Sequence, residues 1–161
     1  MKMRDQEQKK TVSYIVSIAV ALAVGGLSAI INAGKMTRPE LTQPPLSPPA
    51  WLFPVVWTIL FTLMGISAAR VYLSDCRGKS DALFVYGMQL VVNFLWTIFY
   101  FSFGALALSF FWLLFLIALV LLMLVRFERC RSGAGKLQIP YLVWLCFAAY
   151  LNLATWLLNR A

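Results

Sequence analysis

Tryptophan, tyrosine and carboxamide side chains recur at helical spacing in three stretches of this chain. Together they suit one kind of chemistry: holding a flat, largely apolar molecule by ring faces and a few hydrogen bonds. The first stretch is Gln43–Gly65, QPPLSPPAWLFPVVWTILFTLMG, in which Trp51, Phe53 and Trp57 follow four prolines. Pro44, Pro45, Pro48 and Pro49 hold φ near about −65° and donate no hydrogen bond, so they form a stiff, extended lead. Ser47 ahead of Pro48 and Pro49 reads as a helix start, with a side-chain oxygen able to cap. Pro54 kinks the span unless the helix begins near Phe53, and a kink leaves Trp51 and Trp57 facing the space it opens. An interfacial aromatic belt is the alternative reading of the same tryptophans.

In the second stretch Gln89, Asn93, Trp96 and Tyr100 stand at intervals of four, three and four, which places them on one helical face. A carboxamide in lipid without a partner costs several kcal/mol, so Gln89 and Asn93 must meet neighbouring helices, water or a ligand. In the third, Tyr141, Trp144, Ala148 and Thr155 share a face, with Leu151 and Asn152 at its edges. Small Ala148 between large aromatics leaves a flat, accessible place. If the three stripes face one another, they enclose an aromatic pocket with few polar anchors.

Other chemistries are disfavoured. The chain has no histidine, the commonest haem and metal ligand, and no metal site is expected. No acidic residue lies inside an apolar span, and Arg70 sits only at the end of one, which argues against proton- or ion-coupled transport. No acid–base pair, nucleophile triad or phosphate loop is present.

The elements that position these stripes follow from composition. With 61% hydrophobic and 12% charged residues in 161, the chain has too little polar surface for a soluble globule. A span needs roughly 20 apolar residues. Thr11–Gly34, Pro48–Ala69 and Leu137–Asn159 supply one each. Ala82–Arg126 as one helix would be about 65 Å long, roughly twice the hydrocarbon thickness, so it folds back at Ser102–Ala105 around Gly104. The expectation is an all-α, single-domain bundle of five transmembrane helices over residues 1–161, at about 11–34, 50–73, 82–101, 105–126 and 138–159. Helix one carries Gly25, Gly26, Ser28 and Ala29, which permit close packing. The fourth helix is nearly pure hydrocarbon and reads as lipid-facing or structural. Met1–Lys10 reads as a mobile polar tail.

Of the fourteen basic residues, eleven fall on the face shared by the N-terminus and the second and fourth loops; Lys35, Arg38 and Arg160 fall on the other. This bias puts the N-terminus in the cytoplasm and the C-terminus outside. The net charge of +8 therefore reports topology, with attraction to anionic lipid as a corollary. No nucleic-acid partner is expected, because the cations are dispersed over short loops. Cys76, Cys130 and Cys146 have no C-x-x-C spacing, and the first two fall on the cytoplasmic side, where thiols stay reduced; no structural disulfide is expected.

Three segments in this order resemble the TspO/MBR family, bacterial relatives of the mitochondrial translocator protein, or peripheral benzodiazepine receptor. They are S-P-P-A-W-L-F-P-V-V-W at Ser47–Trp57 with Met64-Gly65, Q-L-V-V-N-F-L-W at Gln89–Trp96, and P-Y-L-V-W-L-C-F-A-A-Y-L-N at Pro140–Asn152. The chain departs from the family at Leu46, where many members have tryptophan, and in the first loop, which lacks an aromatic pair. It also lacks the C-terminal sterol motif, although Lys136, Tyr141 and Val143 fit the reversed cholesterol pattern. The resemblance implies a five-helix bundle, often a homodimer, in a bacterial cell membrane. It implies a pocket for tetrapyrroles such as protoporphyrin IX, or for isoquinoline and benzodiazepine drugs, as ligand or substrate, with no cofactor required. The pocket residues it implies are Trp51, Trp57, Asn93, Trp96, Tyr141, Trp144, Ala148 and Asn152, to which the stripes above add Phe53 and Gln89. Two functions are compatible with it: a receptor or carrier, and an enzyme degrading protoporphyrin IX with light and oxygen. In the second, Trp57 and Trp144 would be the redox partners, donating electrons to an excited porphyrin.

Overall fold

A computed structural model describes residues 2–35 and 40–160, and among these it holds helices and turns but no strand. The helices are α1 (Lys2–Ile31), α2 (Leu52–Tyr72), α3 (Lys79–Thr97), α4 (Leu106–Cys130) and α5 (Ile139–Leu158). A π-helical turn, Ile98–Ser102, ends α3, and a 3-10 turn, Lys136–Gln138, leads into α5. All five are long and apolar enough to cross a membrane. The fold-back at Gly104 is present: this glycine takes φ of +63°, a left-handed conformation that any other L residue adopts only at a cost of about 1–2 kcal/mol.

Helix α1 starts some nine residues earlier than its apolar stretch. The polar segment expected to be mobile is instead helical from Lys2, because lysine, arginine, glutamate and glutamine are good helix formers and Asp5 lies in the first turn. At α2 the chain passes Ser47 without starting a helix. Ser47 closes a turn instead, its backbone N–H and its hydroxyl both donating to the Pro44 carbonyl, at 3.3 and 2.8 Å. The helix begins at Leu52, so Pro54 falls in its first turn, where its missing N–H costs nothing and no kink is required.

Packing runs α1 on α2, α3 on α4 and α4 on α5. Gly65 makes the first contact possible, since a Cβ there would collide with the α1 backbone at Ile18. Helix α4 is structural on one side and lipid-facing on the other: Leu113, Leu116, Val120, Met123 and Phe127 are buried, while Phe111 and Phe115 are exposed. Its Trp112 Nε1 donates to the Val92 carbonyl of α3 at 2.8 Å.

The loops at the end of the bundle that carries the α1 N-terminus correct one expectation. Cys76 and Cys130, 54 residues apart in sequence, are joined by a disulfide, with Cα atoms 5.0 Å apart. The approach has a physical cause. The α3–α4 hairpin returns the end of α4 beside the start of α3, where Arg126 Nη1 donates to the Asp81 carbonyl at 3.4 Å, and Cys76 lies in the short loop just before that start. After Cys130 the chain curls around Glu128, whose carboxylate accepts the backbone N–H groups of Gly133 (3.0 Å), Gly135 (3.1 Å) and Lys136 (3.3 Å). Arg70 donates to the Ser132 carbonyl, and Ser67 to that of Ala134, tying this loop to α2.

Candidate functional site

The carboxamides of α3 meet the aromatics of α5 inside the bundle. Tyr141 Oη donates to Gln89 Oε1 at 3.0 Å and accepts from Asn93 Nδ2 at 3.1 Å. One helical turn further along α3, Trp96 Nε1 donates to Asn152 Oδ1 at 3.3 Å, and Asn152 Nδ2 donates to the Leu106 carbonyl at 2.9 Å. All five side chains are buried. The stripe therefore satisfies itself helix to helix, as buried polar groups must. Each of the five is fixed by a partner.

The open part of the site lies between α2 and α5, whose backbones approach less closely than those of the packed pairs. Aromatic rings bridge the gap. Phe53 meets Trp144 edge-on at 5.9 Å between centroids, and Trp57 meets Tyr141 edge-on at 6.1 Å while tilting over Phe61 at 5.4 Å. Below these pairs runs a groove of about 500 Å³ lined by Val56, Ile59, Leu60, Pro140, Val143, Trp144 and Phe147. The lining residues are all apolar, and the groove opens to the outer surface of the bundle, where Val143 and Ile59 are exposed. Trp57 and Trp144 are both half-buried against the core, one behind the groove and one in its wall.

Of the other residues singled out from the sequence, Ala148 packs against the core on α5 and Tyr100 stacks on Trp96 at 5.6 Å. Trp51 is not brought in. It stands just ahead of α2 with two-thirds of its surface exposed, as an interfacial aromatic does. The proline-rich loop is fastened over the far end of α5: Tyr150 Oη donates to the Pro45 carbonyl at 3.1 Å, and the Asn159 carboxamide exchanges two hydrogen bonds with the Thr42 backbone. Arg38 lies outside the described residues. Sequence reasoning missed a second polar cluster linking α1 to the π-helical turn. Fully buried Asn32 donates to Thr97 Oγ1 and accepts from Ser102 Oγ, while Ser28 shares a 2.8 Å hydrogen bond with Thr97. A carboxamide at the end of an apolar span was the available signal.

A second hollow, of about 590 Å³, lies at the opposite end of α2 between Tyr72, Leu73 and the polar turns of α1 at Asp5, Lys9 and Ser13. It contains none of the aromatic stripes.

Five apolar helices with a polar interior seam and a lateral aromatic gap define a multi-pass α-helical membrane protein. Comparison narrows this further: the family model for TspO/MBR matches residues 16–157, and the chain belongs to that family. It is 31% identical to the Tryptophan-rich protein TspO of Chlorobaculum tepidum over 152 residues, covering 88% of this chain and 96% of the relative. It is 36% identical to Protein CrtK of Rhodobacter capsulatus over 154 residues, covering 91% and 90%. The Translocator protein of Ovis aries is 28% identical over 138 residues, covering 84% and 82%.

Proposed function

We propose that this chain is a membrane receptor or carrier that binds tetrapyrroles such as protoporphyrin IX, and related flat apolar ligands, between α2 and α5. The observation that carries the reading is the α2–α5 gap itself, spanned by aromatic rings above an apolar groove within the size range of small-molecule sites. Ring faces and edges of Trp57, Trp144 and Phe147 suit a macrocycle, since offset and edge-on aromatic pairs add about 0.5–1.5 kcal/mol each beyond area burial. The names of the relatives, sensory and translocator proteins among them, agree with a binding rather than a housekeeping structural role. The protein sits with its N-terminus in the cytoplasm and acts as a homodimer.

The test is quenching of tryptophan fluorescence by protoporphyrin IX in the dark, in the detergent-solubilised full chain and in Val143→Trp, a surface change that fills the groove. Saturable quenching lost in Val143→Trp supports the reading. Equal affinity in both would sink it. The alternative, light- and oxygen-dependent degradation of the bound porphyrin, draws support from the edge contact of Trp57 with Tyr141, which puts two oxidisable rings together beside the groove. Illumination decides it: a defined product formed faster than free porphyrin bleaches, and lost in Trp57→Phe or Trp144→Phe, would make this an enzyme.

A further inference from the structure

Two observations about the Cys76–Cys130 pair pull in opposite directions. The bond is formed, yet it lies on the face that carries eleven of the fourteen basic residues, the face that the charge bias assigns to the reducing cytoplasm. A bond that serves only as a staple belongs in an oxidising compartment. We propose that Cys76 and Cys130 form a reversible dithiol–disulfide couple on the cytoplasmic face, a redox modification site that fastens the α2–α3 loop to the end of α4 when oxidised. The inference rests on the cytoplasmic orientation proposed above and is independent of any ligand.

The surroundings fit a reactive pair. Both cysteines are half-buried, Cys76 in the α2–α3 loop and Cys130 at the last residue of α4, open to a small oxidant. Arg129 and Arg131 flank Cys130 in sequence, and Asp75 and Arg77 flank Cys76; the thiolate is the nucleophilic form of either thiol. The oxidant class is a hydroperoxide. One thiolate attacks the peroxide, the O–O bond breaks, and a sulfenic acid and water are left once the leaving oxygen takes a proton. The second thiol then displaces water from the sulfenic sulfur. Two thiols lose two electrons and hydrogen peroxide becomes two waters. Reversal takes two equivalents of a small thiol, which leave as their own disulfide.

The consequence reaches the site through the chain. Cys130 ends α4 two residues after Glu128, whose carboxylate gathers the backbone of Gly133, Gly135 and Lys136. That loop leads directly into buried Gln138 and then Tyr141, the centre of the polar seam. Closing the bridge therefore stiffens the segment from which α5 departs.

The experiment uses the full chain with Cys146→Ala, so that only the pair can be labelled, expressed in bacterial cells and trapped by acid quenching. A polymer-tagged maleimide should label both thiols in unstressed cells. Brief exposure to hydrogen peroxide should abolish the labelling, and a thiol reductant should restore it. Labelling that survives peroxide overturns the couple, and so does a pair already blocked before stress. A Cys130→Ser variant, with Cys76 free, separates the two possible failures: a membrane-impermeant maleimide reaching Cys76 from outside whole cells overturns the orientation. In the purified protein, hydrogen exchange at Gly133 and Gly135 should slow on oxidation in the paired form and not in Cys76→Ser. Equal rates would show that the bridge transmits nothing to the loop.

Discussion

Tyr141 is the side chain on which the polar interior depends, because it donates to Gln89 and accepts from Asn93 at once. Replacing it by phenylalanine keeps the ring against Trp57 but strands a buried acceptor and a buried donor, each costing about 1–3 kcal/mol. Thermal unfolding in detergent should show Tyr141→Phe markedly less stable than the parent; a variant of unchanged stability would mean that water or a rotated carboxamide replaces the hydroxyl. Trp57→Phe should behave in the opposite sense, with a small effect on stability and a clear loss of porphyrin quenching. Much of this cluster was legible in the sequence, since four-, three- and four-residue spacing puts Gln89, Asn93, Trp96 and Tyr100 on one face. Spacing does not say which neighbour satisfies a carboxamide. That depends on how α5 is rotated against α3, and of the partners open to the stripe, neighbouring helices, water or a ligand, the fold supplies the neighbouring helix. Trp51 was beyond reach for a similar reason: its direction is set where α2 begins, at Leu52, past the serine that looked like its cap.

Among the elements, the α1–α2 pair is held by close backbone approach more than by polar contacts. Gly65→Ala would press a methyl group into the α1 backbone at Ile18, and overpacking of this kind costs about 1–3 kcal/mol. Gly26 faces open space, so Gly26→Ala should be neutral or, through its better helix propensity, stabilising by up to about 1 kcal/mol. Parallel unfolding measurements of the two variants check the pair, and equal destabilisation would show that the approach at Gly65 is not what holds α1. The hairpin at Gly104 and the start of α5, with Pro140 in its first turn, were readable because length and proline chemistry constrain them locally. The disulfide was not readable. It depends on the α2–α3 loop and the end of α4, 54 residues apart, meeting at one end of the bundle, and cysteine spacing carries no information about that.

At the scale of the whole molecule, the charge bias and the odd number of spans make one expectation together: the termini lie on opposite sides of the membrane. A phosphatase fused at the C-terminus, active only outside the cytoplasm, should be active, and the same reporter at the N-terminus silent. The reverse pattern would invert every assignment of sides made above. The gap between α2 and α5 has a further consequence. Its mouth opens at the apolar outer surface of the bundle, so on the binding role proposed above a ligand would arrive from the bilayer, at an effective concentration set by partitioning into lipid. An apparent dissociation constant in aqueous units should then rise in proportion to the lipid or detergent present, while the same data expressed as moles of ligand per mole of lipid should collapse onto one curve. On that reading, affinity is a property of a solution in fat.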